Sequence, residues 1–142
     1  MRSPPDRARA IPVQGVTVNI ADLANLSLLK PPAALQRKLE GALLVTSERM
    51  PADIVTMQCR MLVCELATGR RRVISLVYPA EADAASSRIS VFEPLGAELL
   101  GATVGDVVVL RFGKPGDLKL VEILYQPERD LRDDLVVRDD PA

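Results

Sequence analysis

PLGAELLGATVGD, running from Pro94 to Asp106, places glycines at Gly96, Gly101 and Gly105. From Gly96 it reads G-x-x-x-x-G-A-T, one residue away from the phosphate-cradling pattern G-x-x-x-x-G-K-[ST], with Ala102 in the lysine position. A phosphate loop follows a strand and opens a long helix, so that free N–H groups at the helix start meet the phosphates. Here the order is inverted. Pro94 suits the first turn of a short helix, Gly96 falls inside it, and Gly101 suits its exit. The residues after Gly105 read as a strand. The stretch is therefore not a nucleotide loop. Its glycines are assigned to structure: Gly96 to close backbone approach, Gly101 to the helix exit, and Gly105-Asp106 to a turn.

Strand patterns surround this helix. RMLVCELA (60–67) and RRRVISLVYP (70–79) form a hairpin about Thr68-Gly69, and the second is apolar on both faces, as a central strand is. DIVTM (53–57) reads as a further strand and SSRISVF (86–92) as a short extended piece. DVVVLRF (106–112) and LKLVEILYQ (118–126) make a final hairpin around Gly113-Lys114-Pro115-Gly116. The residues before position 50 follow a helical period instead. Asn19 is placed to cap a helix carrying Asp22 in its first turn, with Leu23, Leu26 and Leu29 at helical spacing. Pro31-Pro32 ends it, and a second helix then puts Leu35, Leu39 and Leu43 on one face. At ~1.5 Å per residue, each arm of this helical hairpin is on the order of 15–20 Å long. Arms so short need a surface to pack on.

The expected fold class is α+β: antiparallel strands around one short helix, preceded by a helical hairpin. Residues 1–12 are expected to lack order, 13–49 to form the hairpin, 50–128 the sheet domain, and 129–142 an acidic mobile tail.

Composition narrows the chemistry. The chain has 142 residues, 48% hydrophobic but only 3% aromatic, so its core is aliphatic. It has no histidine, which removes His-based acid–base chemistry, phosphohistidine transfer and His metal ligation. The net charge of −1 gives no global field toward nucleic acid or membrane. Cys59 and Cys64 are five apart, on opposite faces of a strand, and are expected to be free thiols with no zinc site. No signal core or membrane span is legible, and a cytoplasmic location is expected. No metal and no cofactor is expected. Glu81, Asp83 and Glu93 show no pairing suited to general acid–base work. Arg70, Arg71 and Arg72, with Arg60 on the neighbouring strand, are a candidate phosphate-attracting patch, without an aromatic platform beside it. Phe92, just before the helix start, is either a buried aromatic or an exposed anchor for a partner.

RRVISLVYPA, ISVFEPLGAELLGATVGDVVVL and LKLVEILYQPE, together with MPADIVTM, resemble the C-terminal domain of the Gre transcript-cleavage factors. They resemble in particular the Rnk family, named for regulation of nucleoside diphosphate kinase. The likeness runs from Met50 to Glu128. It implies an FKBP-like sheet wrapped around the PLGAELL helix, with a short hairpin projecting from it. The partner it implies is bacterial RNA polymerase at the rim of the secondary channel, contacted through Ile89, Ser90, Phe92, Glu93 and Pro94. Gre factors carry metal-holding carboxylates at their coiled-coil tip. The tip here, Lys30, Pro31 and Pro32, has none, so transcript cleavage is expected to be absent. A nucleoside diphosphate kinase partner and a peptidyl-prolyl isomerase are the rival expectations. The second is weakened by the lack of tryptophan, since a proline pocket is built from aromatic walls.

Overall fold

The computed structural model describes residues 16–109 and 116–131. The segment 1–12, most of the Gly113–Gly116 turn and the tail beyond 131 lie outside the described residues.

The described residues open with strand β1 (Thr17–Asn19), which runs directly into helix α1 (Ile20–Leu28). Asn19 caps that helix as its sequence position predicts, accepting the Ala21 N–H at 2.8 Å. Lys30 turns the chain with a φ of 55°. Helix α2 (Ala33–Glu40) follows Pro32 and carries Arg37 and Lys38 in its last turn, where the helix dipole favours cations. The sequence places Leu43 on this helix. Instead, the helix stops at Gly41, and Leu43 begins strand β2 (Leu43–Val45), which pairs with β1 in parallel. Leu43 is left 61% exposed.

The DIVTM stretch forms no strand. It makes one isolated bridge, Ile54 to Thr103, and Gln58 then turns the chain at a φ of 70°. Its backbone is used locally instead: Val55 N–H donates to the Ala102 carbonyl, and the Val55 carbonyl accepts from Gly101. Strands β3 (Arg60–Glu65) and β4 (Arg71–Val77) form the expected hairpin. Two single-turn 3-10 segments, Pro79–Glu81 and Ala84–Ser86, lead to strand β5 (Arg88–Ser90). Helix α3 (Pro94–Leu99), strand β6 (Val107–Val108), strand β7 (Leu118–Tyr125) and a helical turn, α4 (127–131), follow among the described residues.

The main sheet has the order β5-β4-β3-β7-β6. It is mixed rather than purely antiparallel, because β5 pairs with β4 in parallel. The 3-10 segments reverse the chain before it reaches the sheet edge, so β5 returns in the direction of β4. Helix α3 contacts β5 and β6, the strands at opposite edges. One six-residue helix touches both edges only if the sheet curls around it, and two register shifts between β3 and β7 supply local bends.

Gly96 faces the Ser90 carbonyl so closely that a Cβ there would collide with its oxygen and lie 2.8 Å from Val91 Cα. This is the close approach anticipated for that glycine. Gly101 leaves the helix at a φ of 88°, packed on Val16.

The hairpin does not project. Leu26, Leu35 and Leu39 are buried in the same cluster as Met61, Ile74 and Leu120 of the sheet. Burying a leucine contributes about 1.5–3 kcal/mol, so docking this face is what stabilises two helices too short to persist alone.

Candidate functional site

The segment expected to meet a partner, Ile89 to Pro94, leaves the sheet at edge strand β5 and enters α3. Val91 anchors it: the side chain is fully buried and its N–H donates to the Val77 carbonyl at 2.9 Å. Ser90 is buried and folds the turn. Its Oγ accepts the Phe92 N–H at 3.0 Å and its carbonyl accepts the Glu93 N–H at 3.1 Å. Glu93 and Pro94 are left exposed at the helix start, and the Glu93 side chain makes no capping bond. Phe92 and Ile89 are half-buried and pack against the core cluster. Phe92 therefore combines the two roles separated by sequence: part of its ring supports the core, and part remains open beside Glu93.

The other end of α3 is gripped by the hairpin. Lys38 Nζ donates to the carbonyls of Ala97 at 2.7 Å and Glu98 at 3.1 Å. These carbonyls lie at a helix end and lack intrahelical partners, so an ammonium group suits them. Burial lowers the Lys38 pKa to about 8, while the Glu98 charge opposes the shift.

A polar seam joins hairpin, sheet and α4. Asn19 Nδ2 donates to Ser47 Oγ at 3.0 Å and to Glu128 Oε2 at 2.6 Å. Thr56 Oγ1 donates to Glu128 Oε1 at 2.7 Å. Asp22 Oδ2 accepts the Met57 N–H at 3.2 Å. Burial raises the Asp22 pKa to about 6; the Met57 N–H and the Tyr78 hydroxyl oppose the rise, and the nearby Glu128 charge adds to it. Glu128, expected near the start of a mobile tail, is only 8% exposed. Sequence reasoning missed it because its partners lie 72 and 109 positions away. Both of its oxygens are engaged as acceptors, which gives it a structural task. Among the described residues no cluster of three or more His, Cys, Asp or Glu could hold a metal ion. Cys59 is buried, which raises its pKa to about 11, and Cys64 is half-buried; both thiols are free.

The arginine patch is only partly assembled. Arg72 faces inward and bridges Glu65 at 3.5 Å. Register places Arg60 opposite Ser75 and Arg71 opposite Cys64, so Arg60 stands four residues from the Arg71 row, about 13 Å along the sheet. Arg70 and Arg71 stay together, exposed at the hairpin end. At the helical tip, Lys30 and Pro32 are exposed and Pro31 is half-buried. No described helix is long and apolar enough to cross a membrane.

The family described as "Transcription elongation factor, GreA/GreB, C-term" matches residues 50–126, more than half of the chain. The chain is 37% identical over 124 residues to the "Regulator of nucleoside diphosphate kinase" of Escherichia coli strain K12, covering 80% of this chain and 91% of that protein. It is 32% identical over 92 residues to transcription elongation factor GreA of Shouchella clausii, covering 65% of this chain and 57% of that factor. Among solved structures, a "Prokaryotic transcription elongation factor GreA/GreB from Nitrosomonas europaea" superposes with a TM-score of 0.67 at 26% identity. That likeness covers 78% of this chain and 98% of that one. The matched family domain is the curled sheet with α3 at its centre, and the chain belongs to the GreA/GreB C-terminal family of transcription elongation factors.

Proposed function

We propose that this chain is a non-enzymatic transcription regulator that docks on bacterial RNA polymerase at the rim of the secondary channel. It would occupy the docking site of the Gre factors without cleaving transcripts. The observation that carries this reading is the matched domain joined to a short hairpin whose tip offers no carboxylate. Leu29 to Ala33 supply a lysine and two prolines, and a metal ligand cannot come from those side chains. The hairpin also lies on the sheet domain instead of extending from it. Docking would use Ile89, Ser90, Phe92, Glu93 and Pro94, of which Glu93 and Pro94 are the most open. The sheet curled around α3 supports an FKBP-like description of the domain.

The test is capture of core RNA polymerase by the tagged chain, with a Gre factor as competitor. Capture that the competitor abolishes is expected. No capture, or capture indifferent to the competitor, would sink the proposal. The name of the Escherichia coli relative supports a second reading, an adaptor for nucleoside diphosphate kinase. Capture of purified kinase in place of polymerase is the outcome that favours it.

A further inference from the structure

The outer face of the main sheet carries two cross-strand rows of cations that the sequence does not bring together. Alternation fixes which side chains lie there. Met61, Val63 and Glu65 of β3 face the core, so Arg60, Leu62 and Cys64 face outward. Register extends these positions into rows. One runs Arg88 on β5, Ser75 on β4, Arg60 on β3 and Tyr125 on β7. The other runs Arg71 on β4, Cys64 on β3 and Lys119 on β7. The rows stand about 13 Å apart along the strands. Between them Val73, 46% exposed, pairs with half-buried Leu62.

Among the described residues, none of Arg60, Arg71, Arg88 and Lys119 makes an ion pair or a side-chain hydrogen bond. Acids also lie beside the rows: Glu122 opposite Leu62 on β7, Glu81 held by Gln58 Nε2 at 2.7 Å, and Asp83, backbone-bridged to Arg88, whose carboxylate is taken by the Ala85 N–H and the Ser86 hydroxyl. Four unpaired cations on one face of a chain whose net charge is −1 make a local field opposite in sign to the whole. The first row is also concave. Arg60, Arg88, Ser75 and Tyr125 line a cleft of about 230 Å³ together with Glu81 and Gln58, so two guanidinium groups, a hydroxyl and an aromatic ring meet there beside one carboxylate that Gln58 holds. Guanidinium forks match phosphate oxygens, and a ring beside them offers a base a stacking surface.

We propose that this outer face binds single-stranded nucleic acid. One phosphate would sit between Arg60 and Arg88, a base against Tyr125, and later phosphates along Arg71 and Lys119. A free phosphate or mononucleotide would use one row only. A duplex turns its phosphates outward and its bases inward, leaving the apolar strip at Leu62 and Val73 without a partner. A single strand uses both rows and the strip between them. The patch differs from the one suggested by sequence: Arg72 leaves it, and Arg88 and Lys119 enter. It adjoins the β5–α3 segment proposed to meet the polymerase, since Arg88 precedes Ile89 on β5, but its test needs no polymerase.

The experiment is fluorescence anisotropy of a labelled twelve-nucleotide oligothymidylate titrated with the purified full chain. Saturable binding in low salt is expected. With four phosphates engaged, affinity should fall by about 2–3 decades per decade of salt. R60A/R88A should weaken binding at least tenfold, and Tyr125→Leu severalfold with the salt slope unchanged. Arg37→Ala, a cation of the hairpin away from this face, should bind like the parent. Unchanged melting temperatures would show that the exposed substitutions leave the fold intact. Four results would overturn the proposal: no binding in low salt, equal binding of a duplex of the same length, equal binding of polyglutamate, or equal loss in Arg37→Ala.

Discussion

Helix α3 and the hairpin helices α1 and α2 are all too short to stand alone, yet they are fixed by different means. Helix α3 buries Leu99 in the core, but where it meets β5 the contact is backbone on backbone: Gly96 lies on the Ser90 carbonyl, and no side chain intervenes there. The hairpin is held by side chains, with leucines in the core and a polar seam at its base. A backbone contact has one geometry and fails when a single carbon is added. A side-chain interface spreads its free energy over many contacts and yields gradually. The first kind suits a segment that must present Glu93 and Pro94 in a fixed pose. The second suits an appendage.

The largest test of this contrast is Gly96→Ala. The added carbon meets backbone that cannot rotate away, so a loss of roughly 3 kcal/mol or more, or failure to fold, is expected in chemical denaturation of the full chain. A loss under about 1 kcal/mol, the ordinary scale of a surface change, would show that α3 can slide off β5 and that the backbone contact is not decisive. Next is Leu26→Ala on the hairpin, with an expected cost of about 3 kcal/mol in the same measurement. A cooperative unfolding transition should remain. Two separate transitions would mean that hairpin and sheet do not share one core.

The polar seam can be probed by pH. Burial places the folded Asp22 pKa at about 6, above its ordinary 3.8. A carboxyl with a raised folded pKa contributes stability that is present below pH 3.8 and lost as pH rises through 6. The full rise would amount to ~3 kcal/mol, and partial solvent access brings the expected loss to about 2 kcal/mol. Asp22→Asn retains an acceptor for the Met57 N–H and should flatten the stability profile between pH 4 and pH 6. A slope equal to that of the parent would assign the dependence to other groups. The smallest effect on stability is expected from Phe92→Ala, about 1 kcal/mol because the ring is only half-buried. Polymerase capture should nevertheless weaken severalfold. A change in stability alone, with capture intact, would make Phe92 a core residue and nothing more.

These same regions differ in how far sequence revealed them. Helix α3, its three glycine roles, the β3–β4 hairpin and the Asn19 cap depend on residues within a few positions of one another, and all were legible. Pairing direction was not. Whether β5 lies parallel or antiparallel to β4 depends on how the 3-10 segments between them fold, and the period-two pattern is identical either way. Glu128 lies at the boundary drawn between sheet domain and tail, and nothing near it in sequence marks its burial, because its partners Asn19 and Thr56 are remote. Of the candidate patch, Arg70 and Arg71 could be read locally. Arg72 turning inward to Glu65, and Arg88 aligning with Arg60 across Ser75, needed the register of three strands.

The two-strand ladder of β1 and β2 sets a lower limit on the size of the arm above it. Neighbouring parallel strands cannot be joined by a tight turn; the chain must make a crossover of a dozen residues or more to return in the same sense. Residues 20–42, α1 and α2 with their connections, are that crossover. The hairpin is thus a topological necessity as well as an appendage. Residues can be inserted at its Lys30–Pro32 tip without disturbing the ladder, but trimming it below one crossover would part β1 from β2 and withdraw Asn19 from both Ser47 and Glu128. Length in such an arm is free to grow outward from a minimum, and this chain lies toward the short end of that range.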